Sequence, residues 1–335
     1  MNNKKKNIKG ILYGGITAII TIALIIVMGF FVTIRISESY YNIDEMYESD
    51  DIDVLFIGNS HSIAGIYCDV FDENTGANSF NLSTTSQSPF SAELLLEETL
   101  KNHDIDVVFV ETFSMVYPSK KDFYYSKAME ADMTVIRSIR NPALKLKGIL
   151  SQSGMRNIFD GFLPMFKYHA NWKKPEKWHL RFWDVSYTLE DRELYTEKHH
   201  KGSRYIPYVM TPDQYEGYDN YEYTFDVDTS MKEKQKHWDN IIEMCDKKDV
   251  EVVFVTVPWL DKFVESTNYG DISSAFNEYF ISKNTAHIDM NEIDLSLTYE
   301  DFAQEDPNPN QHLNISGATK VSEYISFWSN DNIAE

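Results

Sequence analysis

From Ile11 to Ile34 the chain carries no charged side chain, and Lys4, Lys5, Lys6 and Lys9 stand just ahead of that run. At about 1.5 Å of rise per residue the run forms a helix of roughly 36 Å, enough to cross a hydrocarbon core of about 30 Å with some tilt. Whatever follows must fold as a body of its own beside a membrane. A lysine cluster ahead of a span keeps the amino terminus cytoplasmic, so the expectation is a single-pass cell-membrane protein with its bulk extracytoplasmic. A cleaved signal peptide also begins with lysines, but its apolar part covers only about 7–15 residues and ends at small residues. Here the run is longer and ends in Phe30-Phe31-Val32-Thr33-Ile34-Arg35, and no second run of that length follows.

The remainder has the material for one large core, since 43% of the 335 residues are hydrophobic and 14% aromatic. A formal net charge of −21 excludes nucleic acid as a partner, because phosphate binding needs clustered cations. The two cysteines, Cys68 and Cys245, sit among apolar neighbours, which predicts buried free thiols and not a disulfide. Short apolar runs at Val54–Ile57, Val107–Val110 and Val252–Val257, with another around His287-Ile288-Asp289, alternate with helical patterns at Ser91–Leu100 and Met231–Lys247. That alternation predicts an α/β domain with a parallel sheet and crossover helices. The pattern breaks between Pro118 and about Ser230. A helical start at Ala128–Leu150, interrupted at Asn141-Pro142, gives way to ring-dense segments at Trp172, Trp178–Trp183 and Tyr215–Phe225. The resulting plan is a cytoplasmic tail (1–10), an anchor (11–34), a juxtamembrane linker (35–50), a domain in two pieces (51–117 and 231–335) and an insertion (118–230).

Chemistry concentrates in two short stretches. Ser60 stands in Gly58-Asn59-Ser60-His61-Ser62, just past the run Val54–Ile57, with Ile63–Tyr67 able to begin a helix. Open α/β sheets bind ligands at the carboxyl ends of their strands, and free N–H groups at a helix start stabilise developing negative charge. The same serine also reads as a plain helix cap. As a nucleophile it needs a base that the fold delivers from elsewhere. His312 is the candidate, read as a loop residue ahead of the terminal helical pattern Ile315–Ile325.

Ser60 after a strand, Asn81-Leu82-Ser83 after a second short run, and His312-Leu313-Asn314 with Gly317 ahead of the last helix together resemble the SGNH/GDSL hydrolase superfamily. The likeness is to its membrane-anchored DltD-like and alginate O-acetylation-like branch. It covers Asp51 to about Tyr117 and Met231 to the end. The resemblance implies a flavodoxin-like three-layer domain, preceded here by one transmembrane helix and interrupted by a large, mostly helical and aromatic insertion. It also implies Ser60 as nucleophile, His312 as general base, and the backbone N–H groups of Ser60 and Ser83 as part of an oxyanion hole. Three positions depart from the family pattern. Ser83 stands where glycine is usual. Glu111 stands where an asparagine side chain would donate to the oxyanion, which an ionised carboxylate cannot do. Pro309 stands where an aspartate would orient the histidine. Asp306 is the nearest carboxylate upstream and completes a triad if it loops back; the alternative is a Ser60–His312 dyad steadied by a backbone carbonyl or Asn310. Asn59, His61, Glu111, Asn310 and Asn314 are expected to surround and support the pair.

These residues imply acyl transfer on an ester of a cell-envelope glycan or teichoic-acid-like polymer, ending in hydrolysis or in O-acylation. An MBOAT-type membrane acyltransferase is a partner implied by the resemblance alone. Aromatic faces in the insertion would stack on sugar rings, or they form the insertion's own core. The alternative class is a non-catalytic module that binds glycan or an acyltransferase. Neither a phosphate-cradling glycine loop nor a dinucleotide fingerprint is present, and His169, His179, His199 and His200 lack metal-ligand spacing, so no cofactor and no metal are expected. Asn81-Leu82-Ser83 and Asn314-Ile315-Ser316 match the N-glycosylation pattern at the expected site, which favours a bacterial envelope, where such patterns go unused.

Overall fold

The computed structural model describes residues 2–32, 38–117, 123–153, 173, 195, 197–304 and 311–333. The chain divides into two units, Met1–Ile36 with Lys145–Glu193, and Ser37–Leu144 with Leu194–Glu335. Within the first, helix α1 (Asn2–Val32) carries the uncharged run from Ile11 as far as Val32. Its stretch Lys9–Gly29 has a mean hydropathy of 2.5 and is largely exposed, with Ile11, Leu12, Ile19 and Leu24 all facing outward. By length and composition alone, a membrane span and a signal sequence near the amino terminus both meet this description.

The second unit is built on a five-stranded sheet. Strands β1 (Val54–Ile57), β2 (Ser79–Asn81) and β3 (Val107–Glu111) come before Pro118, with helices α2 (Glu38–Glu48), α3 (Ser60–Gly65), α4 (Cys68–Thr75) and α5 (Pro89–Thr99) around them. Helix α6 (Phe123–Ser138) and the first turn of α7 (Pro142–Ser153), whose remainder from Lys145 belongs to the first unit, follow, then a small antiparallel pair, β4 (His199–His200) with β5 (Ser203–Arg204). After α8 (Pro212–Glu216) and α9 (Val227–Asp246) the sheet resumes with β6 (Glu251–Thr256). It ends through α10 (Asp261–Glu265), α11 (Tyr269–Lys283) and β7 (Ala286–Asp289). A second antiparallel pair, β8 (Phe302–Gln304) with β9 (Gln311–Leu313), leads into the last helix, α12 (Ile315–Asn332).

The sheet order is β2-β1-β3-β6-β7 and every pairing is parallel. Helices cover both faces of a parallel sheet, so its strands read as unbroken apolar runs. Leu55, Phe56, Ile57, Val108, Phe109, Val110, Val253, Phe254 and Val255 are accordingly all buried. Phe56 stacks on Phe109 at 5.0 Å between ring centroids, and Trp238 of α9 packs against Phe254 at 5.1 Å. Right-handed crossovers put the helix after β1 on one face and the helices after β2, β3 and β6 on the other. The contacts follow that rule: α4 packs with α12, whereas α5, α9 and α11 form a row. Winding therefore reverses between β1 and β3, and their carboxyl ends diverge to leave a crevice, the usual ligand position in such sheets.

The sequence reading of an α/β domain with a parallel sheet holds, and its strand runs match β1, β3, β6 and β7 to within a residue or two. Helix α7 restarts after a break where Asn141 Oδ1 accepts the N–H groups of Ala143 and Leu144, with Pro142 in the first turn where its missing N–H costs nothing. The segment 118–230, expected as one insertion, is divided between the two units, and its part from Leu194 onward belongs with the sheet. The β4–β5 turn adds to the outer edge of β2, where the Asn81 N–H donates to the Lys201 carbonyl at 2.9 Å. Gly202 sits in that turn at φ 78°, and a Cβ there would strike the Asn81 carbonyl, so glycine alone fits. Trp172, Trp178–Trp183, His169 and His179 lie outside the described residues. Cys68 and Cys245 are free and buried, and burial pushes both thiols up to about 12, so both are inert.

Candidate active site at the carboxyl end of the sheet

Ser60 is the first residue of α3, directly past the carboxyl end of β1. Every residue from Val54 to Asn59 and from His61 to Cys68 is buried, and Ser60 alone among them is partly exposed. The fold thus presents one hydroxyl from an otherwise closed strand-to-helix turn. Asn59 caps that turn, its Oδ1 accepting the His61 N–H at 2.8 Å. A six-residue helix has little macrodipole, so the position of Ser60 at the crevice matters more than the helix behind it.

Loop 82–84 extends the pairing of β2 with β1 and fastens the turn from its other side. Leu82 donates to the Phe56 carbonyl at 2.8 Å and Thr84 to the Gly58 carbonyl at 3.0 Å. The Asn81 side chain, buried, donates from Nδ2 to the carbonyls of Ser62 at 2.9 Å and Ile66 at 3.1 Å. Its Oδ1 accepts the Ser83 N–H at 3.2 Å, and the Ser83 hydroxyl donates to Ser62 Oγ at 2.7 Å. The Ser83 N–H, expected to face an oxyanion, is therefore directed at Asn81 instead. Ser83 holds α3 in place from the side of Ser62.

His312 lies on β9, opposite Ala303 of β8, and not in a loop. Strand β9 packs against α3. His61, the neighbour of Ser60, is in ring contact with His312 at 5.3 Å and with Phe113, just beyond β3, at 3.8 Å. Its Nε2 lies 3.3 Å from Gln311 Nε2, and the Gln311 Oε1 accepts the Leu260 N–H at 3.3 Å. The turn after β1, the exit of β3, the loop after β6 and strand β9 thus meet around His61. Burial lowers His61 to about 3 against an opposing hydrogen bond at the Gln311 backbone. Burial also lowers His312 well below the usual imidazole range, and the nearby His61 and Arg204 lower it further. Both imidazoles are neutral at physiological pH, because burial disfavours their protonated forms. Asp306, Pro309 and Asn310 lie outside the described residues.

Glu111 closes β3 and is buried, 2% exposed. Its Oε1 accepts the Phe113 N–H at 2.7 Å. Desolvation raises this carboxyl to about 8, although the backbone N–H groups of Phe113, Asn59 and Thr112 pull the other way. At neutral pH it is mainly the uncharged acid. Gly58 faces it across the two strand ends, and a Cβ on Gly58 would collide with the Glu111 Cβ. That collision explains the glycine ahead of Asn59-Ser60.

Asn314 caps α12. Its Oδ1 accepts the N–H groups of Ser316 at 2.9 Å and Gly317 at 3.3 Å, while its Nδ2 donates to the carbonyls of Glu300 at 2.7 Å and Phe302 at 3.2 Å. This asparagine anchors the strand that carries His312. Gly317 allows that anchor to close, since a Cβ there would press on the Asp301 carbonyl. Asn81 and Asn314 are both buried and hydrogen-bonded, so their N-glycosylation patterns are outcomes of fold requirements and carry no information about compartment.

Sequence reasoning missed three contributors here, Asn81, Gln311 and Phe113. Asn81 opens the stretch Asn81-Leu82-Ser83 and Gln311 directly precedes His312-Leu313-Asn314, so adjacency was the available signal. Phe113 has none, because an aromatic after a strand reads as ordinary core. Fold and crevice define a doubly wound α/β protein with the partly exposed Ser60 and the buried His61 and His312 near the reversal of its winding. A scan against models of protein families and a search of curated proteins return no match for this chain.

Proposed function

We propose that the chain is a membrane-anchored, extracytoplasmic serine acyl-transfer enzyme of SGNH type, acting on an ester of a cell-envelope glycan. Supporting it above all is a single juxtaposition: the only partly exposed residue of the β1–α3 turn is Ser60, and the next residue, His61, is in ring contact with His312. In this reading the Ser60 hydroxyl attacks the acyl carbonyl as His312 takes its proton. The alkoxide leaving group then receives that proton from His312, and an acyl-serine remains. Water or a sugar hydroxyl attacks the acyl-serine in the second half, with His312 again the base, which gives hydrolysis or O-acyl transfer. The backbone N–H of Ser60 is the oxyanion donor retained from the family pattern, and Asp306 or Asn310 would orient His312.

Helix α1 supports the anchored placement by its length and apolarity, and the lysines ahead of it support a cytoplasmic amino terminus. An envelope polymer as acceptor and an MBOAT-type acyltransferase as partner rest on the resemblance alone. A second reading, a non-catalytic glycan-binding or acyltransferase-docking module, is favoured by the Ser83 N–H being directed at Asn81. Turnover of a small acyl ester by the full chain in detergent separates the two. Ser60→Ala and His312→Ala should each lower it by about 10³-fold or more, and the double variant should be no worse than either alone. Full activity in Ser60→Ala contradicts the serine mechanism.

A further inference from the structure

Two strand ends meet at the crevice, and the side chain between them is a carboxyl with no cation to answer it among the described residues. Glu111 Oε1 accepts the Phe113 N–H, while Oε2 is fully buried and has no hydrogen-bond partner among the described residues. On the β1 side the Asn59 N–H also acts on this carboxyl, so Glu111 touches the backbone of the turn that carries Ser60. On the β3 side it holds the first turn beyond the strand, whose Phe113 packs against His61. The titratable groups facing this region are His61 from α3 and His312 from β9, both neutral, and Lys234 from α9. The Lys234 ammonium is bonded to the carbonyls of Ser114 and Tyr117. None of the three is among the influences that shift Glu111.

A buried carboxylate without a counter-charge is costly, whereas a neutral carboxyl of the same shape is tolerated. The acid form keeps one oxygen as acceptor for the backbone and carries the proton on the other. Ionisation would place an unanswered charge beside Gly58, where the packing is so close that an added Cβ would collide with the Glu111 Cβ. We propose that Glu111 is a positioning residue whose neutral form clamps the β1 turn to the exit of β3, so that the Ser60 site is assembled only while this carboxyl keeps its proton.

The proposal rests on the serine reading for its activity readout but not for its stability readout. For the full chain in detergent, unfolding midpoints are measured from pH 5 to 9 for the native sequence, Glu111→Gln and Glu111→Ala, alongside kcat/KM on a small acyl ester. The native midpoint should fall relative to that of Glu111→Gln as pH rises toward 8, because only the native side chain is forced to keep its proton. The native kcat/KM should drop above pH 8, approaching about tenfold per pH unit, while Glu111→Gln extends the plateau and rescues activity that Glu111→Ala loses. Parallel midpoint curves for native and Gln chains overturn the clamp, whatever the activity. An alkaline drop unchanged in Glu111→Gln overturns it as well. Absence of ester turnover in the native chain at every pH contradicts the serine reading alone, and the midpoint curves then decide the clamp by themselves.

Discussion

The two halves of the candidate site start alike and are held differently. Each is a strand followed by an asparagine cap and a helix: β1, Asn59 and α3 on one side, β9, Asn314 and α12 on the other. Asn314 uses both ends of its amide, accepting two N–H groups and donating to two carbonyls. Asn59 accepts locally from His61, and much of the restraint on its turn comes from outside, through Asn81, Ser83 and Glu111. The carboxylates differ in the same way. Asp301, beside the Asn314 junction, would be raised by burial, but hydrogen bonds from Lys320, Ser316 and the Thr298 backbone, with the Lys320 charge, leave it lowered. Glu111 has no such cation and is raised. A junction that only has to hold a strand is saturated with bonds, whereas the turn that has to present a hydroxyl is braced from its surroundings and left open at one residue.

The sharpest way to break this contrast is chemical. Ser60→Ala should remove about 10³-fold or more of ester turnover with an unchanged unfolding midpoint, whereas Asn314→Ala should act mainly through stability. In Gly58→Ala the added methyl meets the Glu111 Cβ in a packed crevice, and the expected cost is about 1–3 kcal/mol by denaturant unfolding. Asn314→Ala should cost about 1–2 kcal/mol, at the upper end for a cap because two carbonyls lose their donor. Equal costs for Asn59→Ala and Asn314→Ala would show that the two caps carry the same load.

The pH dependence separates the halves further. Asp301 is lowered in the folded state, so its contribution is present above the unfolded value near 4 and is lost as pH falls through the folded one. His61 is lowered to about 3, so the folded chain resists a proton that the unfolded chain accepts. Its effect also appears on acidification, as a loss approaching about 1.4 kcal/mol per pH unit below roughly 6.5. Glu111 has the opposite sign, since its stability contribution declines as pH rises from about 4.3 toward 8. Lys320→Met should therefore weaken the chain near neutrality and flatten the acid limb, leaving the alkaline limb alone. The Lys320→Met change is the smallest of the expected effects.

Much of this was legible in the residues. Unbroken apolar runs marked β1, β3 and β6 because a strand covered on both faces has no polar side to show. Ser60 and His312 stood out because a serine after such a strand and a histidine ahead of a terminal helix are chemically matched types. What stayed hidden depends on three-dimensional neighbours. The ionisation of Glu111 is set by burial without a cation, the direction of the Ser83 N–H by a side chain two residues away, and the placement of His312 on a strand by a partner, β8, too short to have a period of its own. Asn81 and Asn314 looked like glycan acceptors in sequence and are structural amides in the fold.

The central claim is that Ser60 is an activated nucleophile served by His312. Incubation of the full chain in detergent with a serine-directed fluorophosphonate, followed by peptide mass spectrometry, tests it directly. The account predicts an adduct on Ser60 in the native chain that is strongly reduced in His312→Ala. No adduct on Ser60, or equal labelling with and without the His312 imidazole, would contradict it.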